Sequence, residues 1–315
     1  MAQRAAAHGE RRAGLGILAR IGNTPMLRLE RMFPGAEVFG KLEGTNPGGS
    51  VKDRIALAMV EAAEAAGLIK PGDTLVEATS GNTGIGLALV AAVKGYRLVL
   101  TMPEDMNLER RALFAWFGAE LALTPAIEGM SGAVWAAEQL STREGCYWTR
   151  QFENPANPEA HYRHTGPEIW SQMEGRCDVL VAGVGTGGTL TGTARYLKER
   201  NPALRVVAVE PAASAVLSGG RPGPTRIFGL GAGFKPGVLD TSLIDQVVAV
   251  PDDAAYETAR RAAVTEGLLV GPSSGAALWA VQRLLAQGLT GRIAVVLPDT
   301  GDRYTSLMPE VVAQP

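Results

Sequence analysis

One lysine follows a turn that gives it an unusual setting. The run Asn46–Gly49 (N-P-G-G) predicts a tight, non-helical turn, because proline presets φ and glycine allows positive φ or the close approach of a ligand. Ser50 then predicts a helix N-cap, with Asp53 as a capping-box-like partner. Lys52 would lie in the first helical turn, where the helix dipole disfavours a cation. A lysine that loses its proton is suited to Schiff-base chemistry, and a solvated surface lysine is the alternative.

A second stretch combines small polar side chains with glycine where a strand leads into a helix. Residues 79–84 read Thr-Ser-Gly-Asn-Thr-Gly and lie between a predicted strand at 73–78 and a predicted helix at 85–94. Free N–H groups and the positive end of a helix dipole bind anions. Because the stretch has no Lys or Arg, a carboxylate or a single phosphate suits it better than a polyphosphate. A simple helix cap would explain only one of its four polar side chains.

A glycine-rich loop at 183–189 has the same setting, between a predicted strand at 178–182 and a predicted helix at 190–200. It matches the dinucleotide pattern G-x-G-x-x-G, and Glu210 ends the next predicted strand at about the distance expected of a ribose-binding acid. A dinucleotide and a monophosphate are therefore both open as ligands. A dinucleotide site would give the turn before Lys52 no role. A monophosphate therefore fits both the 79–84 stretch and the glycine-rich loop better.

Three further segments carry weaker signals. In Gly271–Gly275, either Ser273 or Ser274 could cap the following helix. His161 and His164 are spaced to share a helical face, but with no further ligand nearby a structural role is favoured over a metal site. The segment 299–304 follows the last predicted strand at the edge where open α/β sheets place their sites, and it could equally be a surface turn.

Strands alternate with helices along the chain, which predicts an α/β fold with twisted, mostly parallel sheets and helices on both faces. One series runs from residue 37 to 140 and a second from residue 178 to 297. The stretch 149–167 between them is rich in Asn, Pro and His and predicts a connection between two domains.

Composition excludes several classes of protein. The chain has 315 residues, 46% of them hydrophobic, and a net charge of −2, so there is no electrostatic reason to expect nucleic acid or a membrane surface. Cys146 and Cys177 form no C-x-x-C pattern, so neither a disulfide framework nor a zinc site is indicated. Residues 1–14 lack the apolar region of a secretory signal, which predicts a disordered tail and a cytoplasmic protein.

Taken together, these segments resemble the cysteine synthase (O-acetylserine sulfhydrylase) family of pyridoxal-phosphate enzymes, of fold type II. The match lies in motifs that occur in family order: I-G-N-T-P at 21–25, N-P-G-G-S-V-K-D-R at 46–54, E-A-T-S-G-N-T-G at 77–84, M-P-E-D-M-N-L-E-R-R at 102–111, Q-F-E-N-P-A-N-P at 151–158, T-G-P-E-I-W at 165–170, G-T-G-G-T at 185–189, G-L-G-A-G-F at 229–234 and S-S-G-A-A at 273–277. Singly most are weak, but jointly they are specific and cover nearly the whole chain.

The resemblance implies a division of the chain and a role for each motif. Residues 46–145 would form a smaller mobile domain, and residues 15–45 with 146–315 a larger cofactor-binding domain, as in the tryptophan synthase β fold. Lys52 would carry pyridoxal phosphate as a Schiff base. The other implied cofactor ligands are Asn82 at the ring hydroxyl, Gly185, Thr186, Gly187, Gly188 and Thr189 at the phosphate, and Ser273 at the pyridine nitrogen. The substrate carboxylate would bind Thr79, Ser80, Gly81, Thr83 and Gln151, with Gly229 near the substrate amine.

The implied reaction replaces the acetyl group of O-acetyl-L-serine with sulfide through an α-aminoacrylate, giving L-cysteine and acetate. A relative that uses O-phosphoserine or serine, as cystathionine β-synthase does, is the alternative, and residues 214–226 are the first place to look for that specificity. The resemblance further implies a homodimer and a possible partner, the C-terminal tail of serine acetyltransferase. A nicotinamide-dependent oxidoreductase would instead depend on Glu210 and be indifferent to loss of Lys52.

Overall fold

The computed structural model describes residues 16–106 and 108–307. In this part of the chain ten strands form two sheets: β1 (Met26–Arg28), β2 (Glu37–Leu42), β3 (Thr74–Ala78), β4 (Arg97–Pro103), β5 (Glu120–Thr124), β6 (Cys146–Trp148), β7 (Val179–Gly183), β8 (Arg205–Pro211), β9 (Gln246–Val250) and β10 (Arg292–Leu297). The α-helices are α1 (Lys52–Ala65), α2 (Asn82–Lys94), α3 (Leu108–Trp116), α4 (Gly129–Ser141), α5 (Ala156–Ala160), α6 (Gly166–Gln172), α7 (Gly188–Lys198), α8 (Asp252–Glu266) and α9 (Pro272–Ala286).

The larger sheet has six strands in the order β1-β2-β10-β7-β8-β9. All neighbours are parallel except β1, which pairs antiparallel with β2. Strands β7 and β10 are almost continuously apolar, as expected of parallel strands that are covered on both faces. Separate apolar clusters accordingly lie on the two faces, one built largely with α8 and α9 and the other with α6 and α7.

The smaller sheet has four parallel strands in the order β5-β4-β3-β6. Its main core is packed from α1, α2 and Phe114 of α3 against β3 and β4, and a small second cluster with α4 covers the other face. Helix α2 is apolar nearly all round, because it packs both against the sheet and against α1. The two sheets with their helices confirm the predicted α/β architecture.

The structure adds elements that the sequence did not predict. Strands β1 and β6 have three residues each, too few for a periodic pattern. The stretch 149–167, predicted as a connection, contains α5 and one π-helical turn (His161–Thr165). The predicted tail at 1–14 lies outside the described residues, as does Asn107, the predicted first residue of α3.

Four of the loops predicted to carry chemistry follow the carboxyl ends of parallel strands, where open α/β sheets place their sites, whereas Gly271–Gly275 lies between α8 and α9. The lysine turn follows β2, the 79–84 stretch follows β3, the glycine loop follows β7, and the segment 299–304 follows β10. Backbone contacts bring the first and last of these together, since the Val51 N–H donates to the Pro298 carbonyl oxygen at 2.8 Å.

A buried ionic cluster fixes the start of α1. The Arg54 guanidinium bonds Glu43 through Nε at 2.7 Å and Glu168 through Nη2 at 2.7 Å, and Lys41 Nζ also bonds Glu168 at 2.7 Å. These contacts join β2, α1 and α6 beneath the lysine turn. Within the described residues, no helix combines the length and apolarity needed to cross a membrane.

Candidate active site

One cavity brings together most of the residues that the sequence analysis singled out for a cofactor. The sequence-predicted residues that line it are Lys52, Asn82, Gly185, Thr186, Gly187, Thr189, Gly229 and Ser273. Lys52, from the smaller-sheet side, and Ser273, from the larger, are 221 positions apart, so only the tertiary fold could show that they share a cavity. Val296, Pro298 and Asp299 complete one wall.

The turn before Lys52 differs from the predicted capping box. Helix α1 begins at Lys52, and Ser50 Oγ accepts the N–H of Lys52 at 3.2 Å rather than that of Asp53. The Asp53 carboxylate is buried and accepts the N–H of Gly48. A Cβ on Gly48 would lie 2.4 Å from Asp53 Oδ1, so this turn requires glycine there. Asp53 therefore holds the turn itself, because its side chain folds back over the turn rather than onto the Ser50 N–H.

Burial lowers the pKa of Lys52 to about 8, and the Asp299 carboxylate opposes this shift. The expected direction is therefore right, although the largest cause is desolvation rather than the helix dipole. Lys52 is surrounded by protein and lines the cavity, where part of its surface remains accessible. Near neutral pH a useful fraction of Lys52 is a free amine, the form that can react with a carbonyl.

The lowered pKa predicts a stability difference in the ligand-free protein. Lys52→Met should stabilise it at pH 7 by on the order of 2–3 kcal/mol, because folding no longer disfavours a charged amine. The penalty is fully present below the folded pKa of about 8 and disappears as pH rises towards the unfolded value of 10.5. Urea unfolding of both proteins between pH 7 and 10 should show the two free energies of unfolding converging; a gap that is constant with pH would contradict this.

The glycine loop after β7 forms a cradle that side chains would fill. Gly187 has φ +85° and is the N-cap of α7. Because glycine has no side chain, the N-cap residue makes no side-chain hydrogen bond to the first N–H groups of the helix. A Cβ on Gly185 would lie 2.2 Å from the Gly229 carbonyl oxygen. One on Gly188 would lie 1.8 Å from Asn157 Oδ1. Backbone N–H groups at a helix N-terminus with this geometry suit a phosphate group.

Two buried side chains that the sequence analysis did not assign to this site support the cradle. His161 bonds Thr165 Oγ1 at 2.9 Å through Nδ1 and Thr189 Oγ1 at 3.2 Å through Nε2. Burial holds the pKa of His161 well below its usual value, so the ring is neutral. Asn157 Nδ2 donates to Thr186 Oγ1 at 3.1 Å. The predicted structural role of His161 thus includes orienting the Thr189 hydroxyl. In the sequence, only the motif N-P-A-N-P indicated a role for Asn157.

The five residues predicted to bind a substrate carboxylate are not among those that line the cavity; four lie around the start of α2, next to the lining residue Asn82, and the fifth, Gln151, bonds Thr83. Thr83 Oγ1 donates to Gln151 Oε1 at 2.6 Å, and Gln151 Nε2 donates to the Ala78 carbonyl oxygen at 3.3 Å. The Gly81 N–H donates to Thr79 Oγ1 at 3.1 Å, and the Ser80 carbonyl oxygen accepts from Arg110. Gly81 is the N-cap of α2 and provides no side-chain cap. N–H groups at a helix start without a side-chain cap favour an anion, and the anion site itself stays a prediction.

The first turn of α9 is formed differently from the prediction. Gly271 is its N-cap and Pro272 the first helical residue, so neither Ser273 nor Ser274 caps the helix. Both serines are buried, and Ser273 faces the cavity. Ser273 is therefore free to serve a ligand, because the capping role that the sequence favoured is absent.

The structure argues against a dinucleotide site, because Glu210, the acid expected to bind the ribose, is already engaged by protein groups. Glu210 is buried and accepts three hydrogen bonds from the following loop, from the N–H groups of Leu217 at 2.7 Å and Ser218 at 3.0 Å and from the Ser218 hydroxyl at 2.6 Å. It holds that loop instead. Among the residues that the structure describes, no group of three His, Cys, Asp or Glu side chains could bind a metal ion.

Comparisons with known proteins agree on one family. A cysteine synthase of Staphylococcus aureus is 54% identical over 290 residues, covering 91% of this chain and 94% of the relative. The crystal structure of a cysteine synthase from Entamoeba histolytica is 37% identical with a TM-score of 0.88, covering 98% of this chain and 94% of the other. An O-ureido-L-serine synthase is 45% identical with a TM-score of 0.91, covering 95% of each chain.

The site fits the cofactor of this family. A lysine with lowered pKa, a glycine cradle at a helix N-terminus and a buried serine share one cavity, as an aldehyde, a phosphate and a pyridine nitrogen would require. The model of the "Pyridoxal-phosphate dependent enzyme" family matches residues 17–299. The chain belongs to the cysteine synthase family of pyridoxal-phosphate-dependent enzymes, with the fold type II architecture.

Proposed function

We propose that this protein is a cysteine synthase, which replaces the acetyl group of O-acetyl-L-serine with sulfide to give L-cysteine and acetate. The observation that carries the proposal is the position of Lys52, a readily neutralised amine in the same cavity as the glycine cradle and Ser273. The relatives named cysteine synthase and O-acetyl serine sulfhydrylase support the choice of substrate.

Lys52 is the residue that attaches the cofactor and then moves the substrate proton. The bound cofactor withdraws electrons from the substrate α-carbon, which acidifies its proton and allows a β-substituent to leave. Lys52 Nζ accepts that proton as general base while the bond from Cβ to the acetate oxygen breaks. After the sulfur of hydrosulfide bonds to Cβ, Lys52 returns the proton to Cα. In the ligand-free protein burial lowers the pKa of Lys52 to about 8, so the neutral amine that must react with the cofactor is accessible near neutral pH.

The remaining cofactor ligands would fix the ring and its phosphate. Asn82 would meet the ring hydroxyl, and residues 185–189 would bind the phosphate with their N–H groups and hydroxyls. Ser273 would bond the pyridine nitrogen. A serine cannot supply the full negative charge that an aspartate offers there, so the ring is a weaker electron sink, which favours β-elimination over transamination.

The substrate carboxylate would bind at the start of α2, through Thr79, Ser80, Gly81, Thr83 and Gln151, with Gly229 lining the pocket near the amine. The Thr83–Gln151 hydrogen bond and the absence of a side-chain cap on α2 support this placement. We further propose that residues 46–145 act as a smaller mobile domain that closes on the bound carboxylate. Small-angle scattering that is identical with and without bound amino acid would count against closure.

The Thr83–Gln151 pair predicts the effect of a near-isosteric change. Thr83→Val should raise KM for O-acetylserine about tenfold, with a smaller change in kcat, because Gln151 loses its donor and the pocket loses a hydroxyl. The control is Thr142→Val, which removes an exposed hydroxyl that bonds only the nearby Gln139 carbonyl oxygen at 2.8 Å. Steady-state kinetics measures both, and an unchanged KM in Thr83→Val would remove Thr83 from the carboxylate site.

The assembly and location of the protein complete the proposal. The resemblance supports a cytoplasmic homodimer that could bind the C-terminal tail of serine acetyltransferase. Light scattering gives the oligomeric state, and isothermal titration with a peptide of that tail tests the partner. A monomer without affinity for the peptide would contradict both statements and leave the reaction untouched.

The first experiment is the visible absorbance spectrum of the purified protein. We expect the band of lysine-bound cofactor, which O-acetylserine should shift and sulfide should restore. A band that ignores O-acetylserine but responds to O-phosphoserine or serine would keep the mechanism and change the leaving group. A protein that develops no band even after pyridoxal phosphate is added would overturn the proposal.

A further inference from the structure

The side-chain amide of Asn82 is held at both ends by the segment that follows β10. Arg303 Nη1 donates to Asn82 Oδ1 at 2.7 Å, and Asn82 Nδ2 donates to Asp299 Oδ2 at 2.7 Å. Asn82 lies at the first position of α2 on the smaller sheet, whereas Asp299 and Arg303 follow the last strand of the larger sheet. The two contacts therefore cross between the sheets at the cavity.

The Asp299 carboxylate is fixed in turn by its surroundings. Its side chain is buried, and Tyr304 donates its hydroxyl to the same Oδ2 at 2.5 Å. The main chain is bound on both sides, because the Val51 N–H donates to the carbonyl oxygen of Pro298 and the Gly271 N–H to that of Asp299. Asp299 thus lies between the turn that carries Lys52 and the turn that carries Ser273.

A buried carboxylate needs a reason, because removing a charge from water costs free energy unless hydrogen bonds replace the lost hydration. Asp299 receives two such bonds on Oδ2, while Oδ1 is buried without a hydrogen-bond partner among residues 16–106 and 108–307. Oδ1 lies against Gly271, where a Cβ would come within 2.2 Å of it. Asparagine could therefore replace Asp299 with its oxygen towards Asn82 and its nitrogen in the place of Oδ1.

We propose that Asp299 is a positioning residue that sets the orientation of the Asn82 amide towards the cofactor. An asparagine amide has two hydrogens on nitrogen and an acceptor oxygen. Arg303 occupies the oxygen and Asp299 takes one hydrogen, which leaves the second Nδ2 hydrogen for a ligand in the cavity. Without the carboxylate the amide loses one of these two bonds, so its second Nδ2 hydrogen is less firmly directed towards the oxygen of the ring hydroxyl. The proposal rests on the cofactor contact proposed for Asn82.

The test compares three variants of the full-length protein, stripped of cofactor and titrated with pyridoxal phosphate. Asp299→Ala removes the acceptor, whereas Asp299→Asn keeps an acceptor oxygen and removes the charge. Tyr304→Phe is the matched control, since it removes the other hydrogen bond to Oδ2 and leaves the Asn82 contact in place. The readouts are the dissociation constant from the visible absorbance titration and the wavelength of the bound-cofactor band. Circular dichroism verifies that each variant is folded.

We expect Asp299→Ala to weaken cofactor binding about tenfold and to shift the band. Asp299→Asn should restore most of the affinity, and Tyr304→Phe should resemble the wild type. Wild-type affinity in Asp299→Ala would overturn the inference, as would an Asp299→Asn variant as weak as alanine, since charge rather than orientation would then be responsible. If Asp299→Ala fails to fold, the test rests on Asp299→Asn. A wild-type dissociation constant and a wild-type band wavelength in that variant would support the inference that Asp299 orients Asn82. A change in either quantity would overturn it. A wild type that binds no cofactor would overturn the proposed cofactor contacts and this inference together.

Discussion

Replacing Lys52 with alanine is expected to reduce turnover of O-acetylserine at least about a thousandfold. The substitution removes both the amine that attaches the cofactor and the base that moves the α proton, so two steps are lost with one side chain. Nothing else in the cavity wall can take over, because its other titratable member, Asp299, is buried and already bonded to Asn82 and Tyr304. The loss should therefore appear in kcat as well as in kcat/KM.

The measurement is cysteine formation from O-acetylserine and sulfide, combined with the absorbance spectrum of the variant. Pyridoxal phosphate should still be held by the glycine cradle but without the band of the lysine-bound form. Lys70→Ala is the matched control, because Lys70 is exposed and is not among the residues that line the cavity, and it should keep the wild-type rate. A Lys52→Ala variant with a substantial rate would show that another group moves the proton.

Replacing Arg54 with methionine is expected to lower the free energy of unfolding by about 3–5 kcal/mol. Arg54 is buried and bonds Glu43, Glu168 and the Thr24 hydroxyl. Methionine fills similar space but leaves the buried Glu43 carboxylate without its ionic partner. The two cations beside Glu168 hold the pKa of that carboxyl at about 2 despite its burial, which shows how strongly the cluster favours the charged form.

Urea unfolding at pH 7 measures this effect. The control is Arg97→Met, because the Arg97–Glu120 ion pair is exposed and such pairs contribute about 0–1 kcal/mol. The pH dependence follows from the lowered pKa of Glu168: its stabilising contribution is present above the unfolded value of 4.5 and is lost as pH falls towards about 2. An Arg54→Met variant as stable as Arg97→Met would mean that the cluster relaxes or admits water.

Local sequence was sufficient wherever a feature depends on a few neighbouring residues. The turn at 46–49 and the glycine cradle could be recognised because glycine, proline and small polar residues act through the backbone next to them. Helix α2, by contrast, begins at Asn82, three residues before the predicted helix at 85–94. The alternation of strands and helices likewise follows from hydrophobic patterns within each element. The family motifs then united these segments, and most of the residues that they indicated for a cofactor line one cavity.

Contacts between distant parts of the chain could not be predicted in this way. Asp299 lies 217 positions from Asn82, and His161 lies 28 from Thr189, so no local pattern pairs them. Asp53 was assigned to the wrong N–H group because the folded turn, rather than the helix end alone, decides which donor is nearest. The three-residue strand β6 exists only because β3 lies beside it.

Local backbone preferences and side-chain chemistry account for most of the elements, their order and the chemical types available at each strand end. The electrostatics of the site, by contrast, depend on contacts between distant parts of the chain. Lys52 has a lowered pKa chiefly because the fold removes it from water, and Asp299 opposes that shift from the other sheet. Desolvation depends on everything packed around a group. Lys52 can therefore be recognised from its local sequence, whereas its lowered pKa depends on the whole fold.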